Sequence, residues 1–167
     1  MTAMNAAPLR IPPPDANNAW LAAHVALLAQ SYHRLTGRTL LPAAQDAAAL
    51  AEAAFEAPFA LLSHGLEADP LFNYANRTAL GLFELDWAAL IAMPSRASAE
   101  ALKQEDRARL MQRVLETGYI DDYSGVRIAR SGRRFIIENA TVWNVVDAEG
   151  RLHGQAATFA TWRRLED

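Results

Sequence analysis

Phe135-Ile136-Ile137-Glu138-Asn139-Ala140-Thr141-Val142-Trp143-Asn144-Val145-Val146, then Asp147-Ala148-Glu149-Gly150, then Leu152 to Trp162, is the stretch whose reading decides the fold. Its two long runs are rich in β-branched and aromatic residues, which suit a pleated, half-buried surface. The four residues between them end on glycine, which supplies the positive φ that a hairpin turn requires. Asp122 to Arg130 and the Ser131-Gly132 turn place another strand just upstream. The last third of the chain therefore reads as a three-strand antiparallel meander.

Working toward the N-terminus, Lys103 to Thr117 predicts a longer helix, apolar at Leu110, Met111, Val114 and Leu115 and ended by Gly118. Asn76 opens a short helix with Leu80, Leu82 and Phe83, and Asp86 opens another with Trp87, Leu90 and Ile91. Leu71-Phe72-Asn73-Tyr74 and Phe59-Ala60-Leu61-Leu62 read as short strands, the second stopped by Gly65. Ala43 to about Ala57 is an alanine-rich helix terminated by Pro58. Before it, Trp20, Leu21, His24, Val25, Leu28, Tyr32 and Leu35 recur at steps of three and four and mark one face of a helix. Residues 1–16 end in Ile11-Pro12-Pro13-Pro14 and are expected to be a disordered, Pro-rich tail.

Length and composition bound the function. With 167 residues the chain is one domain of ordinary size. A hydrophobic share of 51% against 21% charged residues is enough to build a core. The net charge of -3 gives no bulk attraction for nucleic acid, so no direct nucleic-acid contact is expected. No apolar run approaches the roughly 20 residues that span a bilayer, so no membrane partner is expected and the setting reads as cytoplasmic. The absence of cysteine rules out disulfides, thiolate metal sites, cysteine nucleophiles and any chromophore held through sulfur.

Phe55-Glu56-Ala57-Pro58-Phe59 before the first strand, Tyr74-Ala75-Asn76 with Leu82-Phe83 at the strand-to-helix step, and Asp147-Ala148-Glu149-Gly150-Arg151 at the final hairpin occur in this order. Together they resemble a PAS domain, the small α+β sensor fold. Ser63-His64-Gly65, Asp69-Pro70-Leu71-Phe72-Asn73-Tyr74, Asp121-Asp122-Tyr123-Ser124-Gly125-Val126-Arg127 and Glu138-Asn139-Ala140-Thr141-Val142-Trp143-Asn144 are similar, more narrowly, to the MEKHLA domain. That PAS-related domain occurs in bacterial and algal proteins and at the C-terminus of plant class III homeodomain-leucine zipper regulators. The likeness covers about residues 20 to 163 and leaves no attached output domain, so a bacterial stand-alone form is expected. It implies an α+β, PAS-like five-stranded antiparallel sheet, with short helices on one face and the N-terminal amphipathic helix on the other. The expected organisation is 1–16 tail, 17–57 N-terminal helices and 58–167 PAS-like core. The resemblance also implies a regulatory or sensory role with no established catalytic residues.

The last hairpin can be read face by face, because strand residues alternate. Pairing Val146 with Arg151 sets Val142 opposite Gln155 and Glu138 opposite Phe159, and the resemblance places this set toward a PAS pocket. Arg127 on the neighbouring strand is the candidate partner for Glu138. A bulge at the turn would shift the register by one and swap the faces. The other face carries Ile137, Trp143, Val145 and Leu152, too apolar for water. The helix bearing Trp20, Val25 and Leu28 is expected to cover it, within the chain or across a dimer.

Candidate ligand contacts are therefore Arg127, Glu138, Val142, Gln155 and Phe159, with Tyr74 nearby. Arg127 would anchor an anionic or polar group that Gln155 orients. Trp20, Val25, Leu28 and Trp143 are the candidate interface. Asn76 reads as a helix cap, and Tyr74 as a core residue with a satisfied hydroxyl. Residues 95–118 contain no histidine, which disfavours haem; a non-adduct flavin stays open and the cofactor is unknown. His24 and His33 are nine residues apart and sit on opposite sides of one helix, so they cannot share a metal. His64 and His153 read as exposed residues beside turns, and Asp121-Asp122 as strand-entry structure whose carboxylates point to opposite faces. With no base paired to a nucleophile, no enzyme is expected. The function expected is a sensory module that binds a small organic ligand non-covalently and signals through a protein partner or homodimer. The alternative is an interaction module whose pocket is filled by Phe159, Met111 and Trp87.

Overall fold

The computed structural model describes residues 11–99 and 104–166. Helices α1 (Ala22–Thr36) and α2 (Ala47–Phe55) precede strands β1 (Ala60–His64) and β2 (Phe72–Ala75). Short helices α3 (Arg77–Phe83) and α4 (Trp87–Ile91), a 3-10 turn at Ser95–Ser98 and the longer α5 (Gln104–Thr117) follow. The chain closes with β3 (Tyr119–Ile128), β4 (Arg134–Val146), β5 (Leu152–Phe159) and β6 (Thr161–Arg164). The sheet is antiparallel in the order β2-β1-β5-β4-β3, and β6 also pairs with β4. The expected fifth strand is thus split at Ala160, so the sheet has six strands.

Local chemistry accounts for the element boundaries. Asp46, Asn76 and Asp86 cap α2, α3 and α4 by accepting the N–H of Ala49, Ala79 and Ala89. Gly37 ends α1 in the left-handed region and donates its N–H to the His33 carbonyl. Asn76 does more than cap. Fully buried, it accepts from Leu61 N–H at 3.1 Å and from Ala79 N–H at 3.0 Å. Its amide donates to the carbonyls of Ala54 (3.1 Å) and Phe59 (2.7 Å). One side chain thereby ties the end of α2, the entry to β1 and the start of α3.

The α1 helix lies on the outer face of the sheet, within the same chain. Trp143 is fully buried beneath it, its indole N–H donating to Ser31 Oγ at 3.1 Å and its ring 5.0 Å from that of Tyr32. Val25 and Leu28 are buried in the same layer. Each large apolar side chain so placed stabilises the docking by roughly 1.5–3 kcal/mol. Trp20 packs on Phe55 of α2, with ring centroids 5.7 Å apart. Three of the four residues expected at an interface, Val25, Leu28 and Trp143, are therefore spent inside the protein.

Residues 11–16 are not a loose tail. Ile11 packs against the core, its carbonyl accepts the Trp87 indole N–H at 2.8 Å, and Asp15 forms a capping box with Asn18. Residues 1–10 lie outside the described residues. Between this segment and α1, Ala19, Trp20 and Leu21 all hold positive φ, a left-handed turn that costs L-residues energy at each step.

Candidate functional site

The inner face of the sheet carries a cleft of about 570 Å³. Its floor includes Leu62, Ile137, Val142, Gln155, Ala157 and Phe159, and its walls include Phe72, Phe83 and Leu110. The segment 95–99 also lines it, held at both sides of the sheet. On the β2 side, Leu71 bridges Pro94 and Ser95 N–H donates to the Pro70 carbonyl at 2.8 Å. On the β3 side, Ala99 bridges Arg127. The segment is a strap across the cleft.

Of the six residues expected at a ligand, Arg127, Val142, Gln155 and Phe159 line this cleft. Their faces are as expected although their pairings are not. Val146 pairs with Leu152, one residue beyond the expected Arg151, and a bulge next to it makes Val145 pair with Gly154. Two one-residue shifts restore the original parity. Val142 consequently sits opposite Ala157 and Asn144 opposite Gln155.

Glu138 does not share the cleft. Tyr123 pairs with Ala140 but Gly125 pairs with Ile137, so β4 carries an extra residue here, and Asn139 adopts φ 52°. This bulge reverses the alternation below it. Ile137, expected on the outer face, turns into the cleft, while Glu138 turns out and accepts from Arg163 of β6. Arg127 is therefore not its partner. Tyr74 is also elsewhere: it pairs with Ser63, packs 5.7 Å from the His24 ring and 6.1 Å from Trp87, and its buried hydroxyl has no hydrogen-bond partner among the described residues. Burial raises its pKa above the ordinary phenol range.

Gln155 lines the cleft as expected but at the other end from Arg127. Arg127 sits opposite Phe135 and Gln155 opposite Asn144, nine residues apart on β4. That spacing is roughly 25–30 Å of extended strand. Gln155 instead donates to Asn144 Oδ1 at 3.3 Å and neighbours His64, which lines the same end of the cleft. His64 is half-buried there, with Nδ1 3.0 Å from the Gly65 carbonyl, and not an exposed turn residue.

Arg127 defines the opposite end. Residues 123, 125 and 127 share the inner face of β3, and Gly125 between them leaves room for the Tyr123 ring. A Cβ at 125 would meet Tyr123 Oη at 2.4 Å. The ring thereby reaches Arg127, whose guanidinium carbon is 5.4 Å from its centroid. No carboxylate and no hydrogen-bond acceptor among the described residues meets this guanidinium. Burial lowers its pKa, with Tyr123 acting the other way, yet an arginine remains charged across the working pH range. The second arginine at the cleft, Arg96, is paired with Asp69 at 2.9 Å.

The other expected acid pair is divided, as its strand position requires: Asp121 pairs with Arg38 and Asp122 with Arg113. On the outer face, His24 of α1 is 2.8 Å from Ser63 Oγ, which donates to Asn73 Oδ1. Burial, and secondarily the nearby His153, lowers the His24 pKa to about 4. No helix among the described residues is long and apolar enough to cross a membrane.

This antiparallel sheet, with helices and a strap over one face, is the PAS/LOV-type fold. The chain aligns with an RNA-binding light-oxygen-voltage receptor at TM-score 0.58 and 20% identity, over 72% of this chain and 36% of that one. It aligns with the PAS domain of a protein from Colwellia psychrerythraea at TM-score 0.57 and 14% identity, over 69% and 92%. Residues 22–164 match the MEKHLA domain, and the chain belongs to that family. A curated relative is homeobox-leucine zipper protein HOX9 of Oryza sativa subsp. indica, 27% identical over 139 residues. That match takes in 81% of this chain and 16% of the relative, so the chain spans about one sixth of the relative's length. The expected bacterial setting gains no support from this plant match.

Proposed function

We propose that the chain is a PAS-like regulatory module that holds a small organic ligand non-covalently in the inner cleft and passes its occupancy to a protein partner. The cleft carries this reading. At about 570 Å³ it falls within the range of small-molecule sites, it is lined mostly by apolar side chains with a few polar ones, and a strap pinned at both edges crosses it. A pocket filled by its own side chains, the alternative weighed from the sequence, has less support. Phe159 lines the cleft without closing it, Trp87 is bonded to Ile11, and the Met111 side chain lies outside the described residues. The outer face offers a partner little, because α1 already covers it.

Native mass spectrometry of gently purified, untagged protein tests the reading. A discrete added mass that is lost on denaturation supports it and weighs the ligand. A bare polypeptide mass, with no stabilisation by any member of a metabolite library in thermal unfolding, refutes it.

A further inference from the structure

We propose that the ligand is an organic acid with a single carboxylate on an elongated apolar body, its carboxylate held by Arg127 and its body running along the floor toward Val142. This rests on the cleft being the ligand site and adds which chemistry it selects. The argument begins with an imbalance of charge. Arg127 is half-buried on β3, lines the cleft, and has no acidic or hydrogen-bonding partner among the described residues. A guanidinium that borders a mostly apolar cleft with its N–H groups unpaired is open to a counter-charge supplied by whatever fills the cleft, and a charge-assisted pair there is stronger than a neutral hydrogen bond. Tyr123 stacks near the guanidinium but is neutral and accepts none of its N–H groups, leaving five donors in a planar fork that matches a carboxylate.

Among the described residues that line the cleft, Arg96 already has Asp69 as a partner, which leaves Arg127 as the arginine open to a single carboxylate. The surroundings of Arg127 then describe the body. Phe83 and Ile137 lie at its end of the cleft, and Phe159, Ala157 and Val142 continue the floor toward the centre. These side chains offer contact area and no hydrogen bonds, so a second polar group along this strip would be left unpaired. A short or heavily hydroxylated acid would forgo the apolar strip, and a neutral lipid would leave Arg127 unpaired.

The test compares decanoate with decanol, below micelle formation, by isothermal titration calorimetry on the wild type, Arg127→Met and Arg127→Lys. The wild type is expected to prefer decanoate by about 10- to 100-fold, the range for a charge-assisted pair. Arg127→Met should lose that preference while keeping decanol, and Arg127→Lys should retain part of it. The ligand-free Arg127→Met protein should unfold at the same urea midpoint as the wild type, because Arg127 has no ion pair or hydrogen bond among the described residues to lose. A fall in its stability would mean that Arg127 is structural and would overturn the proposal. Equal binding of acid and alcohol by the wild type would also overturn it, while leaving the cleft a ligand site. Failure of acids and alcohols of every chain length from six to fourteen carbons to enter would overturn this proposal, while the mass and thermal-unfolding screen decides separately whether the cleft holds any ligand.

Discussion

Acidification should destabilise this fold through one side chain, His24. Its imidazole is pressed between α1 and the sheet, within hydrogen-bonding distance of Ser63 Oγ and against the Tyr74 ring, with His153 close enough to oppose a second positive charge. The native pKa is about 4, whereas an unfolded chain titrates near 6.5. A group with a lowered native pKa favours folding above its unfolded pKa, and that stability drains away as pH falls from about 6.5 toward 4. Between pH 7.5 and 5 the linkage amounts to about 2 kcal/mol, at about 1.4 kcal/mol per unit of pKa difference. With an m-value of about 2 kcal/mol/M, the urea midpoint should drop by about 1 M. His24→Gln keeps an amide near Ser63 and cannot titrate. Urea unfolding of both proteins at the two pH values isolates His24, since every other group contributes equally to the two drops. The variant should lose about 1 M less of its midpoint than the wild type. Equal drops, or a wild type that gains stability on acidification, would refute the placement of a neutral His24 beneath α1.

Three further outcomes follow from the packing. Asn76→Ala should cost about 2–4 kcal/mol in urea unfolding, since it orphans buried backbone groups at Leu61, Ala54 and Phe59 together; a loss under 1 kcal/mol would contradict the four-way bonding. At Gly154, φ is 152° and an added Cβ would sit 2.0 Å from the His64 carbonyl oxygen, backbone against backbone. Gly154→Ala should therefore lower stability by more than about 1 kcal/mol, and an unchanged thermal midpoint would argue against the β1–β5 register. Glu138→Gln should cost less than about 1 kcal/mol and leave decanoate affinity unchanged, because its ion pair with Arg163 lies on the outer face; a tenfold loss of affinity would return Glu138 to the cleft.

What could be read in advance divides by physical scale. Long strands announced themselves, because period-2 runs of branched and aromatic residues between Gly turns have few other solutions. The faces of Val142, Gln155 and Phe159 came out as read for a less secure reason. Face depends only on parity, and the turn introduced two single-residue shifts that cancelled. Glu138 had no such protection. One left-handed residue at Asn139, interior to a strand, moved it to the opposite face and brought Ile137 inward. The signal was faint but physical: asparagine is among the few non-glycine residues that visit the left-handed region readily, and its place within an apolar run was the hint.

The place of Tyr74 and the separation of Gln155 from Arg127 were not legible for a different reason, which is that they depend on distance between strands and not on sequence neighbours. The face of Tyr74 is set by its pairing with Ser63, and Gln155 is separated from Arg127 by nine positions of a third strand. No period in the chain encodes either relation. Tyr123 and Gly125, by contrast, were available. They alternate with Arg127, so a reading that put Arg127 inward also put Tyr123 inward, with a residue between them small enough for the ring to lie across. That local triplet is what leaves one arginine stacked, half-buried at the cleft and without a counter-charge among the described residues. It is the feature on which the choice between an acid and a neutral ligand turns, and it could have been drawn from five consecutive residues.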